Sequence, residues 1–226
     1  MRTTRSSRAR GPALPVVRAA LLAALLVPVL PAAAQPVRNG TLPSPLFPAD
    51  NWWNADVSAA PRDPNEAAIL AFIGASRGLH PDFGGDASSS GPDIYGMPYL
   101  VVPGSQPLEP VAFDYADESD DGAPGRPAGY PIPAEAKTQA KWIEGGYPGS
   151  SGADGDKHLL IVDRDNHLLF ETWNTRCEPQ GSASCTWRAG SGAVFPLDGN
   201  LRRPDGWTSA DAAGLAILPG LVRYDE

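Results

Sequence analysis

The chain has 226 residues, with 26 acidic against 18 basic side chains and a net charge of −8. A surface this acidic is repelled by phosphate backbones and anionic membranes, which argues against nucleic acid or a charged bilayer as a partner. Two cysteines, and no CxxC, HExxH or P-loop pattern, leave no familiar metal or nucleotide signature.

The first 34 residues read as a secretory signal peptide. Arg2, Arg5, Arg8, Arg10 and Arg18 supply positive charge, and Ala19 to Val27 form an apolar run too short to span a membrane. Ala32-Ala33-Ala34 then offers the small residues a signal peptidase needs, with Gln35 as the expected new N-terminus. Five of the 18 basic residues and none of the 26 acidic ones fall in this leader, so the remaining 192 residues carry a net charge of −13. Gly and Pro make up about 23% of them, just under the level that marks disorder, which fits a loop-rich β-protein. The expected location is extracellular or periplasmic, and the expected state a monomer.

Gln35 to Asp50 is Pro-rich and predicts an extended lead-in. Residues 51–226 then form one domain. Asp63-Pro64-Asn65-Glu66 opens a short helix, with Asp63 as cap and Pro64 at a favoured first position; Ile69, Leu70, Phe72 and Ile73 give it an apolar stripe for packing. Strands are predicted from Met97 to Val102, Val111 to Ala116, on both sides of Arg164-Asp165-Asn166-His167, and from Ala189 to Leu197. Thr208 to Gly214 reads as a short helical turn, and Leu215 to Tyr224 as a last strand broken by Pro219-Gly220. One helix and six or seven strands predict a mainly β fold, an antiparallel sandwich or open barrel. Cys177 and Cys185 are expected to pair in an oxidising compartment and to pin a short polar loop.

The block from Asp154 to Asn174 is the richest in chemistry. A two-residue primed turn at Asp165-Asn166 would pair Val162 with Leu169, Leu160 with Glu171 and His158 with Trp173. Apolar residues then fall on both faces, which predicts a central hairpin covered on both sides. His158, Glu171 and Trp173 would cluster at its open end as an acid/base pair beside a sugar platform. The alternative for the same residues is a structural ion pair with the tryptophan in the core.

Asp114 to Asp121 holds five carboxylates in eight residues. Asp117, Ser119, Asp121 and Gly122 match the first, third, fifth and sixth positions of a calcium loop, but Ala128 stands where a bidentate Glu is required, so the EF-hand template fails. Calcium through Asp117 and Asp121 stays open as the one cofactor, against a solvated turn; otherwise none is expected. Glu118 or Asp120 could supply the second carboxylate of a glycosidase pair with Glu171. Gly190-Ser191-Gly192 is not a nucleophile elbow and reads as close backbone packing. Trp187, Trp207 and Arg188 are further candidates for sugar contact, while Trp52 and Trp53 are expected in the core.

Taken together, Tyr115-Ala-Asp-Glu-Ser-Asp120, Asp156-Lys-His-Leu-Leu-Ile-Val-Asp-Arg-Asp-Asn166, Ala189-Gly-Ser-Gly-Ala-Val-Phe195 and Gly206-Trp-Thr-Ser-Ala-Asp-Ala-Ala-Gly-Leu215, continued by Leu218 to Glu226, resemble a family of secreted bacterial β-rich proteins of no established activity. The resemblance runs from about Asn51 to the end and implies secretion and a β-rich fold. It also implies further chain beyond Glu226, so the domain is expected to be incomplete there. Two functions follow as expectations. One is a glycan-cleaving hydrolase or lyase, with His158, Glu171, Glu118 and Asp120 catalytic and Trp173, Trp187, Trp207 and Arg188 binding polysaccharide or cell-surface glycan. The other is a non-catalytic carbohydrate-binding, adhesion or envelope-interaction module.

Overall fold

A computed structural model of the chain describes residues 34–74, 76–78, 96–122, 126–146 and 155–223. The predicted leader, apart from Ala34, lies outside them, as do the last three residues. No helix among the described residues is long and apolar enough to cross a membrane.

The fold is mainly β, built on two sheets that do not close into a barrel, as in a β-sandwich. The larger sheet runs β1 (Val37–Arg38), β2 (Tyr99–Val102), β4 (Leu159–Asp163), β5 (Leu168–Trp173) and β8 (Ser191–Pro196) in that order. The smaller runs β3 (Val111–Phe113), β7 (Thr186–Ala189) and β6 (Arg176–Glu178). Most neighbours are antiparallel; the β2/β4 and β3/β7 pairs are parallel. The lead-in contributes β1, which pairs with β2.

The hairpin of β4 and β5 is central, and its register is the predicted one: Leu160 opposite Glu171, Val162 opposite Leu169. The turn differs. It has four residues between Asp163 and Leu168, and the left-handed conformation falls on His167 rather than on Asp165 or Asn166. Asp163 replaces the expected turn chemistry by accepting the Asn166 N–H at 3.0 Å and its side-chain amide at 2.7 Å. Two-residue and four-residue loops centred on the same bond give the same pairing, so the faces survived the error.

Each face of the hairpin enters its own core. Leu159, Ile161 and Phe170 pack with Leu100, Val102, Tyr130, Ile132, Ile143 and Trp187. Leu160, Val162 and Leu169 pack on the opposite side with Phe195, Leu46, Phe47, Ala216 and Leu218. That second side is covered by loops rather than strands, and the cleft described below is cut into this loop layer. The glycines around Ser191 do mark close packing. A Cβ on Gly192 would sit 2.6 Å from the Phe113 ring and from the Tyr130 hydroxyl, and one on Gly190 would sit 2.3 Å from the Trp173 ring.

Three expectations are corrected. The helix, α1 (Glu66–Ile73), starts later than predicted, with Asn65 rather than Asp63 at its N-cap and no side-chain cap; none of its residues is buried and Phe72 is 93% exposed, so its stripe is not core. Residues 215–223 form no strand; the segment makes a single 3-10 turn at Leu218–Gly220, because the N–H groups of Ile217 and Leu218 are taken by a side chain instead of a neighbouring strand. The Thr208 region is a turn closed by the Gly214 N–H on the Asp211 carbonyl, not a helix. The Pro/Gly-rich excursion between β3 and β4 holds a short helix, α2 (Glu135–Thr138), and a 3-10 turn at Glu144–Gly146.

Cys177 and Cys185 form a disulfide with Cα atoms 5.3 Å apart. It joins the middle of β6 to the residue just before β7, and both cysteines belong to the first core cluster, so it does more than pin a surface loop. Replacing both cysteines by serine should lower stability by about 2–3 kcal/mol, from loop entropy, in urea denaturation under non-reducing conditions.

Candidate functional site

The predicted His158–Glu171 pair does not form. The His158 ring, buried at the entry to β4, places Nδ1 2.6 Å from Glu144 Oε2 and Nε2 3.3 Å from the carbonyl of Ala210. Its backbone N–H also donates to Glu144 Oε2, at 2.9 Å. Both ring nitrogens thus face acceptors, an arrangement that satisfies the imidazolium and leaves no lone pair to act as a base. Burial alone would lower the His158 pKa; the hydrogen bond and charge of Glu144 outweigh it and hold the group above its usual 6.5. Glu144 feels burial in the opposite sense, but the His158 bonds prevail and keep its carboxyl below the usual range. Glu144 escaped notice in the sequence because it lies in the Gly-rich excursion, 14 residues from its partner, with no periodic pattern around it.

Glu171 is 0% exposed. Its Oε2 accepts the Ile217 N–H at 2.8 Å and its Oε1 the Leu218 N–H at 2.9 Å. No Lys or Arg pairs with it among the described residues. Burial pushes its carboxyl up to about 7, against the pull of those two amides and of the His158 charge. Such a carboxylate, sealed and committed to backbone, cannot meet a substrate.

The acidic segment is a clamp rather than a cation loop. Asp120 is buried between two guanidinium groups, with Arg126 Nε 2.7 Å from Oδ1 and Arg203 Nη1 2.6 Å from Oδ2. Oδ2 also accepts the Val194 N–H at 2.7 Å, and the Asp120 N–H donates to the Gly192 carbonyl at 3.0 Å, so the residue covers the free edge of β8. Glu118 Oε2 accepts the Thr208 N–H at 3.0 Å. Asp117 and Asp121 are exposed, and among the described residues no three His, Cys, Asp or Glu side chains are gathered to hold a metal ion.

The aromatic candidates separate. Trp187 is 2% exposed and belongs to the first core cluster, so it cannot carry a sugar. Trp173 is half-buried with its ring 6.4 Å from that of Tyr115, and nearby Arg188 is paired with Asp114 at 3.4 Å. Trp207 lines a surface cleft of about 170 Å³ together with Trp52, Trp53, Arg202, Arg203 and Asp205. The Arg126 guanidinium lies 4.3 Å from the Trp207 ring centre and that of Arg203 5.4 Å, which fixes the ring by cation–π contact. Trp52, expected in the core, is 40% exposed and stacks on Trp53 at 4.8 Å between ring centres. Trp53 is the partly buried member, packed against the second core cluster. Comparison with protein-family models, with curated proteins and with solved structures found no match for the chain.

Proposed function

We propose that the chain is a secreted module that binds an uncharged extracellular glycan in the cleft walled by Trp52, Trp53 and Trp207. The observation that carries this is Trp52, an exposed indole backed by a second indole and opening on a concave surface. A rigid, amphipathic ring of this kind suits the C–H face of a pyranose, while a few polar groups at the rim fix orientation. Arg202 and Asp205 are exposed on the cleft wall, one to donate to sugar hydroxyls and one to accept. Asp205 and the strong net negative charge disfavour uronate or sulfate chains. The leader sequence and the disulfide support secretion.

Binding is favoured over hydrolysis because the carboxylates expected for a paired-acid centre are spent, Glu171 on Ile217 and Leu218, Asp120 on two arginines and Glu118 on Thr208, which leaves Asp205 without a second carboxylate in the cleft lining. Calorimetric titration with cellohexaose, xylohexaose, mannohexaose and hexagalacturonate tests the proposal. At least one neutral oligomer should bind, hexagalacturonate should not, and Trp52→Ala should weaken binding by roughly tenfold to thirtyfold, the loss of one buried aromatic face. Absence of any neutral binder, or wild-type affinity in Trp52→Ala, overturns it; release of reducing ends would restore the enzyme.

A further inference from the structure

The far wall of the cleft is formed by Ala213, Gly214, Leu215 and Ala216. These four residues lie in a segment hung from the sheet at two points by ionisable side chains. Upstream, His158 Nε2 meets the carbonyl of Ala210; downstream, Glu171 takes the N–H groups of Ile217 and Leu218. Within the segment the Ala213 N–H donates to the Asp211 carboxylate, and the remaining bonds do not titrate. Ser191 Oγ donates to the Ser209 carbonyl at 2.6 Å, and Ser209 Oγ donates to the Leu215 carbonyl at 2.6 Å, holding the wall in shape. Beyond Leu218 the chain reaches Gly220, where a Cβ would stand only 3.2 Å from the Trp53 ring. Trp53 in turn supports Trp52, so the seat of this wall and the aromatic platform are mechanically joined.

We propose that residues 209–218 form a pH-responsive cleft wall, which docks most tightly in mild acid and loosens toward neutral pH as Glu171 ionises beneath it. As a statement about regulation of the cleft, this rests on the glycan reading. The charged groups acting on Glu171 are His158 and Asp211; those acting on His158 are Glu144 and Asp156.

The direction follows from linkage. With the wall docked, burial holds the Glu171 carboxyl near 7; with the wall lifted, water returns it to the ordinary value of 4.5. The docked state therefore binds a proton that the lifted state releases. Docking is fully favoured below about pH 4.5 and loses ground as pH rises to about 7, after which the effect levels off. His158 adds little to this response, because Glu144, which lies outside the wall, is the main group that raises its pKa, and the wall supplies only the Ala210 carbonyl.

Native-state amide exchange on the full chain, corrected for intrinsic rates, tests the device without any ligand. Between about pH 5 and 7 the opening equilibrium at Ile217 and Leu218 should rise by roughly tenfold per pH unit, while that at Ile161, central in β4, should follow global unfolding only. Glu171→Gln should flatten the slope. A flat wild-type profile, an equal slope at Ile161, or an unchanged slope in Glu171→Gln overturns the proposal. Should that variant not fold, the ¹³C titration of the Glu171 carboxyl in the wild type decides, and a midpoint in the ordinary carboxylate range rejects it. Any neutral hexaose that binds at pH 5.5 should bind severalfold more weakly at pH 7.5, and equal affinities would reject the regulatory role. A panel with no binder defeats the glycan reading but leaves the exchange result to judge the wall.

Discussion

Asp120→Ala is expected to cost about 3–5 kcal/mol, the usual penalty for stripping one partner from a buried charge cluster. The residue neutralises Arg126 and Arg203, whose guanidinium groups approach to 2.7 and 2.6 Å, and Arg203 is itself buried. Removing the carboxylate leaves Arg203 with only the carbonyls of Thr208 and Glu118 for its charge. It also orphans the Val194 N–H on the edge of β8. Asp120→Asn keeps an oxygen for Val194 but no charge, so it should fall between the wild type and the alanine variant. Urea denaturation at neutral pH measures both; a loss below about 1 kcal/mol for the alanine variant would show that the cluster is not a structural clamp. Because the same arginines flank the Trp207 ring, the alanine variant should also disturb the cleft.

The hairpin was legible because strand pairing obeys parity. Apolar residues on both faces from Leu159 to Val162 and from Leu168 to Phe170 could only belong to a strand pair covered on both sides. A wrong turn type did not matter, since the pairing follows from the midpoint between Asp165 and Asn166. The segment after Trp207 was misread for the opposite reason. Leu215 to Leu221 has strand-like composition, but Glu171 captures two of its N–H groups, and no local pattern announces a ligand 46 residues away. Polar partners were the least legible. His158 could be singled out as unusual, yet its partner was chosen by the path of a Gly/Pro-rich excursion, where neither period nor propensity constrains position. The same holds for Trp52, which lies in an irregular segment where neither period nor propensity constrains exposure. Both tryptophans were expected in the core, and Trp53 instead supports an exposed Trp52.

The second large effect is expected at Glu144. Its Oε2 receives both the backbone N–H and the ring Nδ1 of His158, tying the excursion to the start of β4. Glu144→Ala removes a charge-assisted pair and a backbone acceptor in a buried setting, and should cost about 3–5 kcal/mol near pH 6. The loss should depend on pH with a definite sign. His158 has a folded pKa raised above 6.5, so the stability it contributes is complete below the unfolded value and disappears as pH rises through the folded one. In the variant, burial acts without the carboxylate and the imidazole gives up its proton earlier. The wild type and Glu144→Ala should therefore differ most near pH 6 and approach each other near pH 9, where only the neutral hydrogen bonds distinguish them, worth about 1–2 kcal/mol. Glu144→Gln keeps an acceptor without the charge and should lose less at pH 6 than alanine does, with little further change on raising the pH. Denaturation midpoints across pH 6 to 9 make the comparison. A constant gap between wild type and alanine would mean that His158 is neutral in the fold and that the 2.6 Å contact is an ordinary hydrogen bond rather than an ion pair.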